Sequence, residues 1–366
     1  MKIPYVNIKK QYKYERKQLL KIIDKILLGG TWVGGNEIHK FEKNISNICK
    51  TKYCVALNSG TDALTLALHL IGVKRGDEVI TPPNSFIAST AVISHLGAKP
   101  VFVDVKEDQN IDEKKIEKNI TKKTKAIMPV HLTGRMCSMD KIDKISKKYN
   151  IPIIEDCAQS IMSKYKGKMA GAWGEVGCFS AHPLKNLNAA GDAGYLTTNN
   201  KTIFKKAKSL RTHGMNENRN DVRNFGYVSR MDNLQAAVLN FRLKNLNKII
   251  KKRRENFSIF EKNLNKEKIY FPHEKKDEFN TYHTFVIQVD SRDKLQKYLK
   301  NNGVETAIHY PIPIHLQRAC KGLGNKNGIF PISEKQSKRI LTLPINQYLK
   351  KSEILYICDL INKFYS

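Results

Sequence analysis

Two side chains in the middle of this chain could together carry out covalent chemistry on a carbonyl cofactor. Lys185 lies in a polar run, residues 180–187, between an apolar segment and a glycine-rich one. Asp156 ends an apolar run 29 residues upstream (185 − 156 = 29). A lysine amine can form a Schiff base, an aspartate can hold a protonated pyridine nitrogen, and a serine such as Ser180 can bind phosphate. This combination predicts a site for pyridoxal phosphate (PLP), and therefore an enzyme.

Each of these residues also has an ordinary structural interpretation. Among so many lysines, Lys185 alone would be assigned to the surface, and Asp156 could cap a following helix. The segment Ser59–Thr61 follows an apolar run and opens a helical pattern, so it could bind an anion or serve only as a helix cap. Phe86 could stack on a cofactor ring or lie in the core. The joint occurrence of these features favours the PLP site.

The composition is that of a globular protein larger than one ordinary domain. The chain has 366 residues, of which 41% are hydrophobic and 27% charged. No apolar run approaches the roughly 20 residues of a membrane span, and the N-terminus lacks a signal-peptide core. We therefore expect a cytoplasmic protein. Seven scattered cysteines without C-x-x-C spacing are expected to be reduced packing residues.

The net charge of +30 comes from 64 basic and 34 acidic residues. The lysines are spread through almost every segment, and no basic stripe is interleaved with aromatic residues. This pattern favours a solvated basic surface, with attraction of a polyanionic substrate as the second interpretation. We expect no nucleic-acid partner.

Apolar runs alternate with helical patterns through much of the chain, which predicts an α/β fold with a largely parallel central sheet. Strands are predicted at 54–57, 78–80, 101–103, 126–130 and 152–155. Helices are predicted at 15–28, 38–49, 61–68, 88–95 and 141–148.

After residue 197 the pattern changes to lysine-rich helical sequence, notably 232–251. Strands at 284–290 and 304–309 and helices at 294–301 and 352–364 indicate a smaller α/β unit. We therefore predict a large domain over residues 1–250, with an N-terminal segment, and a small C-terminal domain over 251–366.

Competing site motifs are weak or missing in the sequence. His309 and His315 suggest a metal site, but no third ligand has suitable spacing, so we expect no metal. The chain has neither a G-x-G-x-x-G loop between strand and helix nor a Walker A loop. A dinucleotide oxidoreductase and a nucleotide hydrolase therefore lack their signatures.

Together these segments resemble the DegT/DnrJ/EryC/StrS family of PLP-dependent sugar aminotransferases, within the fold-type I aspartate aminotransferase superfamily. The resemblance covers nearly the whole chain and implies a mostly parallel seven-stranded sheet in the large domain. It rests on motifs in a fixed order: Asn58–Leu64 (NSGTDAL), Pro129–Gly134 (PVHLTG), Glu155–Gln159 (EDCAQ), Pro183–Leu187 (PLKNL), Leu210–Gly214 (LRTHG), Ser229–Asp232 (SRMD) and Ile308–Pro311 (IHYP).

The resemblance implies cofactor roles for the matching residues. Lys185 would hold PLP covalently and move a proton between the cofactor and substrate carbons, and Asp156 would pair with the pyridine nitrogen. The remaining contacts would come from Gln159 at the ring hydroxyl, from Gly60, Thr61 and Ser180 at the phosphate, and from Phe86 and Ala158 on the two ring faces.

The resemblance also implies the reaction and its partners. An amino group would pass from L-glutamate to a keto carbon of a nucleotide-linked sugar, in a homodimer whose active sites lie at the subunit interface. His309, Tyr310, Arg230 and Trp32 would contact the sugar or the amino donor. Arg230 could bind a carboxylate with two N–H groups.

The chain departs from the family pattern at two positions. Val228, in Gly226–Arg230 (GYVSR), stands where relatives have an asparagine that reaches the phosphate in the partner's site. Ser229 or a neighbouring amide is the predicted substitute. Met162 places bulk after Gln159 where relatives often have glycine, which would reshape the substrate side of the pocket.

Several functions remain open at this point. Some family members are dehydratases or deoxygenases that have histidine in place of this lysine, so Lys185 favours transamination. The acceptor could be a cyclitol ketone instead of a nucleotide sugar, and the scaffold could also serve a non-catalytic regulatory or nucleic-acid-binding protein. The composition, rich in lysine, isoleucine and asparagine, suggests an AT-rich genome and favours amino-sugar biosynthesis for a surface glycan such as lipopolysaccharide.

Overall fold

Helices and strands alternate along most of the chain. The computed structural model describes residues 2–215, 220–222, 224–324 and 326–366. The helices are α1 (Ile8–Leu28), α2 (Asn36–Cys49), α3 (Gly60–Leu70), α4 (Ala88–His95), α5 (Met139–Tyr149), α6 (Lys201–Leu210), α7 (Asn233–Leu243), α8 (Leu246–Asn263), α9 (Arg292–Asn301), α10 (Pro331–Arg339) and α11 (Lys351–Tyr365). The strands are β1 (Tyr53–Leu57), β2 (Glu78–Thr81), β3 (Lys99–Phe102), β4 (Thr124–Ile127), β5 (Ile154–Asp156), β6 (Lys164–Tyr165), β7 (Lys168–Met169), β8 (Val176–Ser180), β9 (Gly194–Thr198), β10 (Glu278–Phe279), β11 (Phe285–Gln288) and β12 (Ile340–Leu343).

A mostly parallel sheet runs through the first two-thirds of the chain. Strands β1, β9, β8 and β5 form one ladder and β3, β2 and β4 another. Parallel bridges from Ile127 to Ile153 and from Val130 to Asp156 join them in the order β1-β9-β8-β5-β4-β2-β3. Only β9 runs antiparallel to its neighbours. This arrangement agrees with the predicted seven-stranded sheet.

The central strands are buried on both faces because helices cover both sides of the sheet. Nearly every residue of β1, β2, β8 and β9 is buried. Two hydrophobic clusters flank the sheet, one around Phe41, Phe179 and Tyr195 and the other around Leu57 and Leu66. Such double coverage is why the strands are continuous apolar runs in the sequence.

A separate hydrophobic cluster is formed by the C-terminal part of the chain together with Ile3. The Ile3 N–H donates to the Gly303 carbonyl at 2.8 Å, and the Glu305 N–H donates to the Ile3 carbonyl at 2.9 Å. Strands β11 and β12 pair antiparallel inside this cluster. The N-terminus is therefore attached to the C-terminal core, whereas the proposed division of the chain at residue 250 stays a prediction.

The helical sequence predicted over 232–251 forms two helices, α7 and α8. They are separated because the Lys244 and Asn245 N–H groups donate to carbonyls three residues back, as in a tighter turn. The strand predicted over 304–309 was wrong. Val304 makes an isolated bridge to Ile3, and Ala307 makes an isolated bridge to Thr342, so the segment pairs with two different parts of the chain and forms no continuous strand.

The structure also bears on two expectations from composition, the state of the cysteines and the lack of a membrane-spanning segment. All seven cysteines are buried with free thiols. Within the described parts of the chain, no helix is both long and apolar enough to traverse a lipid bilayer.

Gly194 marks a point where β9 passes directly against the start of α3. A Cβ atom at position 194 would lie 2.2 Å from the Ser59 carbonyl carbon and 2.4 Å from the Gly60 nitrogen. Gly194→Ala should therefore lower the free energy of unfolding by about 1–3 kcal/mol through overpacking. It should also weaken binding of the predicted cofactor phosphate, which thermal unfolding and PLP titration would measure.

Gly322→Ala is the matched control for this prediction. Its added Cβ meets nothing within 4 Å. Wild-type stability and PLP affinity in both variants would contradict the close contact at Gly194.

Candidate active site

A cavity of about 420 Å³ opens at the carboxyl ends of the central strands, where open α/β sheets bind ligands. It brings together most of the residues that the sequence predicted for the site. The predicted residues that line it are Gly60, Thr61, Phe86, Asp156, Gln159, Ser180, Lys185, His309 and Tyr310.

The first turn of α3 forms one wall of the cavity. Ser59 is the N-cap of α3, and its hydroxyl accepts a hydrogen bond from the Asp62 N–H at 3.1 Å. Beyond the cap, Gly60 and Thr61 expose the positive end of the helix to the cavity. Gly60 cannot be replaced without movement, because a Cβ there would lie 2.7 Å from the Ser180 Cβ. This wall therefore fits a phosphate held by backbone N–H groups and by the Ser180 hydroxyl.

Asp156 is a buried carboxylate at the end of β5. It accepts hydrogen bonds from the Ser89 hydroxyl at 2.8 Å and from the Ala158 N–H at 3.1 Å. Burial raises the carboxyl pKa, while these two donors and the nearby Lys185 amine act in the opposite direction. The side chain thus combines a structural role, as an acceptor for the following turn, with a negative charge at the cavity wall.

Lys185 is held in the turn that follows β8. Its backbone N–H donates to the His182 carbonyl at 2.8 Å. Burial of the amine lowers its pKa from 10.5 to about 8, and the Asp156 carboxylate opposes this shift. Part of the amine population is therefore neutral near physiological pH, and the neutral form is the one that attacks a carbonyl.

Gln159 and Tyr310 meet across the cavity. The Gln159 side-chain carbonyl accepts the Thr133 N–H at 2.7 Å, which fixes the amide N–H₂ as a donor toward the cavity. Burial and the Asp156 charge raise the pKa of Tyr310, and the nearby Gln159 side chain acts in the opposite direction. The Tyr310 hydroxyl therefore stays protonated and can donate a hydrogen bond.

Phe86 lies at the cavity and not in the core. Its side chain is 56% exposed, and its ring centre is 6.0 Å from that of Tyr310. A flat cofactor between Phe86 and Ala158 would cover this exposed ring.

A buried polar network lies behind Asp156. The His131 Nε2 is 3.0 Å from the Glu155 Oε2, and the His131 Nδ1 accepts the Cys137 N–H at 3.2 Å. Glu155 also accepts backbone N–H groups from Gly171, Trp173 and Gly174. His131, Glu155 and Cys157 are close enough to share a metal ion. Their ring nitrogens and carboxylate oxygens are instead used in hydrogen bonds, so the group supports the strand ends.

The two histidines that suggested a metal site have separate partners. The His309 Nδ1 is 3.0 Å from the Thr342 hydroxyl, and the His315 Nε2 is 3.0 Å from the Glu334 carboxylate. Burial and the Lys185 charge lower the pKa of His309 to about 4, so its ring is neutral at physiological pH.

Two predicted substrate residues do not line this cavity. Trp32 is 59% exposed, and its indole N–H donates to the Leu27 carbonyl at 3.2 Å. Arg230 pairs with Leu57 in an antiparallel bridge. The predicted phosphate role of Ser229 also meets a competing bond, because its buried hydroxyl donates to the Asp62 carboxylate at 2.5 Å.

Sequence reasoning missed several residues of the cavity wall: Tyr5, Ser89, Arg253 and His283. Tyr5 is far from the motifs in sequence, and Ser89 occupies an ordinary helix position. Arg253 is one of two adjacent arginines in a helical pattern. The available signal was that a charged residue stands at a position expected on the buried face of that helix.

The fold and this cavity define a PLP-dependent enzyme of fold type I. The chain belongs to the DegT/DnrJ/EryC1/StrS aminotransferase family, whose pattern matches residues 13–362. This confirms the predicted family, fold class, cofactor and enzyme class. PLP supplies a carbonyl for the lysine and an electron sink for the substrate carbon. Lys185, Asp156 and the Gly60–Thr61 turn present an amine, a carboxylate and an anion-binding helix end that fit its three reactive parts.

Relatives in sequence cover essentially the whole chain. A dTDP-3-amino-3,6-dideoxy-alpha-D-galactopyranose transaminase of Aneurinibacillus thermoaerophilus is 37% identical over 99% of both chains. A pleiotropic regulatory protein of Geobacillus stearothermophilus is 35% identical over 100% of this chain and 99% of that protein.

Solved structures show the same fold. The structure of S. venezuelae DesV in complex with a ketimine intermediate superposes with a TM-score of 0.96 at 33% identity, over 99% of this chain and 98% of that one. A DegT/DnrJ/EryC1/StrS aminotransferase from Brucella abortus gives 0.95 at 32% identity, over 99% of both chains.

Capture of PLP by the cofactor-free protein should accelerate with pH and level off above about pH 8. Only the unprotonated Lys185 amine attacks the carbonyl, and its pKa is lowered to about 8. The initial rate of covalent attachment, followed by visible absorption from about pH 6 to about pH 10, measures this midpoint.

Asp156→Asn tests the direction in which the pH midpoint of PLP capture shifts. The Asp156 carboxylate raises the Lys185 pKa, so removing its charge should move the midpoint below the wild-type value. A midpoint near the ordinary lysine value of 10.5 in the wild type would contradict the buried amine.

Proposed function

We propose that this enzyme transfers an amino group from L-glutamate to a keto carbon of a nucleotide-linked sugar. The observation that supports it most directly is the presence of Lys185 and Asp156 in one cavity of a chain that matches nucleotide-sugar transaminases along its full length. The net charge of +30 favours approach of a polyanionic nucleotide sugar. Surface-glycan biosynthesis is the proposed setting.

In this proposal each residue has a defined task. Asp156 would hold the protonated pyridine nitrogen, because Ser89 and the Ala158 N–H stabilise the ionised carboxylate. The Lys185 Nζ would take the proton from the donor carbon and hold it, and PLP would supply the electron sink for that carbon. Gln159 would bind the ring hydroxyl.

The sugar is proposed to contact the side of the cavity formed by His309 and Tyr310. His309 is a neutral ring at physiological pH, and the Tyr310 hydroxyl stays protonated. Both therefore offer uncharged hydrogen-bonding groups to sugar hydroxyls. Trp32 and Arg230 could contribute only from a different part of the assembled enzyme, since they do not line the cavity.

We also propose a homodimer with active sites near its interface. Large apolar side chains are exposed on the end of α1 and on the segment before Arg230, including Leu28 at 80%, Phe225 at 96% and Val228 at 58%. Burying such side chains against a second copy would be favourable. In this proposal Val228 makes an apolar contact where relatives use a polar one.

Lys185→Ala should abolish transamination while leaving weak, noncovalent PLP binding. The assay supplies PLP, L-glutamate and a panel of keto-sugars linked to dTDP, UDP or GDP, and detects the amino sugar and 2-oxoglutarate by mass spectrometry. The expected loss is at least about 10²-fold, because Lys185 is the proposed acid–base group. Lys201→Ala, which changes an exposed lysine at the start of α6, is the control.

Wild-type turnover in Lys185→Ala would overturn the assignment. Amination of a keto-cyclitol but of none of the sugars would favour the cyclitol alternative. A wild type that aminates neither, yet retains DNA in a manner that falls steeply with salt, would favour the regulatory alternative.

Phe225→Asp should weaken the dimer. Losing one buried aromatic contact costs about 1.5–3 kcal/mol, which corresponds to roughly a tenfold or greater rise in the dimer dissociation constant. Light scattering across protein concentrations measures it, with Ile329→Asp, at another exposed apolar residue, as the control. A monomeric wild type, or an unchanged dimer in Phe225→Asp, would contradict the proposed interface.

A further inference from the structure

Arg253 is a buried cation on the wall of the active-site cavity. It lies in α8, is 7% exposed, and lines the same cavity as Asp156. The adjacent Arg254 does not line the cavity. Its guanidinium pairs with the Glu274 carboxylate through bonds of 2.7 and 2.8 Å.

The guanidinium of Arg253 is only partly used by the protein. Its Nη1 donates to the Tyr282 and His283 carbonyls, both at 3.1 Å, and its Nη2 donates to the Gln347 side chain at 3.3 Å. Its Nε has no acceptor among the residues that the structure describes. The Nε hydrogen and one of the two Nη2 hydrogens therefore have no acceptor in the described chain, and N–H groups on these two neighbouring nitrogens can bind a carboxylate with two bonds.

No carboxylate of the described chain balances this charge. Burial lowers the pKa of Arg253 to about 10, and the groups that oppose the shift are the Tyr5 and Tyr348 phenols. The Arg253 side chain is therefore a cation at physiological pH. The neighbours that oppose the lowering of its pKa are the two phenols, which are neutral at this pH. A buried charge without a partner is costly, and an anionic ligand would remove this cost.

Tyr5 adds a hydroxyl to the same part of the cavity. The N-terminal segment pairs with the C-terminal core at Ile3, and this pairing brings Tyr5 to the cavity wall. Burial raises the Tyr5 pKa, so the phenol stays protonated, while the Arg253 charge acts on the same hydroxyl. Tyr5 and Arg253 are thus neighbouring hydrogen-bond donors.

Tyr5, Arg253 and Lys185 line one cavity of about 420 Å³. The charges of Lys185 and Arg253 both lower the pKa of His283, which also lines the cavity. The α-carboxylate of an amino acid is bonded to the carbon from which Lys185 would remove a proton. Among the anionic groups that a substrate could carry, the α-carboxylate therefore has the position most strictly determined by that of Lys185.

We propose that Arg253, assisted by the Tyr5 hydroxyl, binds the α-carboxylate of the amino donor. This inference rests on the proposed transamination and replaces Arg230 as the candidate for a bidentate carboxylate contact. A carboxylate could also come from a sugar acid, since one relative, from Pseudomonas aeruginosa, is named as a UDP-2-acetamido-2-deoxy-3-oxo-D-glucuronate aminotransferase. The experiment separates these two sources.

The test measures the donor half-reaction by the loss of visible PLP absorbance, without any sugar. The PLP-loaded enzyme is mixed with L-glutamate, with L-glutamine, or with the α-amide of L-glutamate, which alone lacks the α-carboxylate. Wild type should prefer the two intact donors over the α-amide by at least about 30-fold, the effect of a buried charge pair. Arg253→Met should slow both intact donors by a similar factor and leave the α-amide nearly unchanged.

Arg254→Met is the matched control, because it removes the adjacent arginine of the same helix outside the cavity. It should retain the wild-type donor preference. Thermal unfolding and PLP content verify that each variant is folded and loaded. If Arg253→Met does not fold, Tyr5→Phe removes a single oxygen and should reduce the preference about threefold or more. An unchanged preference in a folded Arg253→Met or in Tyr5→Phe overturns the corresponding contact.

The remaining outcomes are equally decisive. Equal reaction of wild type with L-glutamate and its α-amide overturns the inference but leaves transamination intact. A defect of Arg253→Met confined to amination of a keto-sugar acid, compared with its uncharged counterpart, assigns Arg253 to the sugar and also overturns it. A PLP-loaded wild type that reacts with no amino donor contradicts the proposed function itself.

Discussion

The structure depends on keeping two opposite charges, Asp156 and Lys185, in one desolvated cavity. Burial raises the pKa of the acid and lowers that of the amine, so each side chain is pushed toward its neutral form. The Ser89 hydroxyl and the Ala158 N–H stabilise the carboxylate, whereas the amine has only the charge of Asp156. This asymmetry favours the ionised form of Asp156 and a partly neutral Lys185, as the proposed roles of the two side chains require.

The sheet meets this requirement by bringing strand ends and a helix end into close contact. Glycines at positions 60 and 194 allow the start of α3 to lie directly against β8 and β9, at distances that no side chain would permit. The helix N-terminus then faces the cavity without an intervening layer of side chains. Behind the strands, the His131–Glu155 network ties the same edge of the sheet together through buried hydrogen bonds.

The opposite side of the cavity comes from the two ends of the chain. Tyr5 arrives through the pairing of Ile3 with Val304, and Arg253, His309 and Tyr310 arrive from the C-terminal half. The strand ends contribute the paired charges of Asp156 and Lys185, while Arg253 has no carboxylate partner among the described residues and His309 and Tyr310 are neutral hydrogen-bonding groups. Such a division suits a cofactor that stays bound and substrates that bring their own anionic groups and hydroxyls.

The sequence by itself determined the alternation of strands and helices, the family, and the short motifs that carry Lys185, Asp156, Gly60 and Gln159, because local periodicity and contiguous residues encode them. It placed a strand at 304–309, where pairing partners decide the outcome, and it did not show that the helical sequence over 232–251 forms two helices, which turn geometry decides. Tertiary structure alone showed that Phe86 faces the cavity, that Trp32 and Arg230 do not, and that Tyr5 and Arg253 do. These positions follow from contacts between residues far apart in the chain, and the energy of such contacts leaves no periodic pattern in the sequence around either partner.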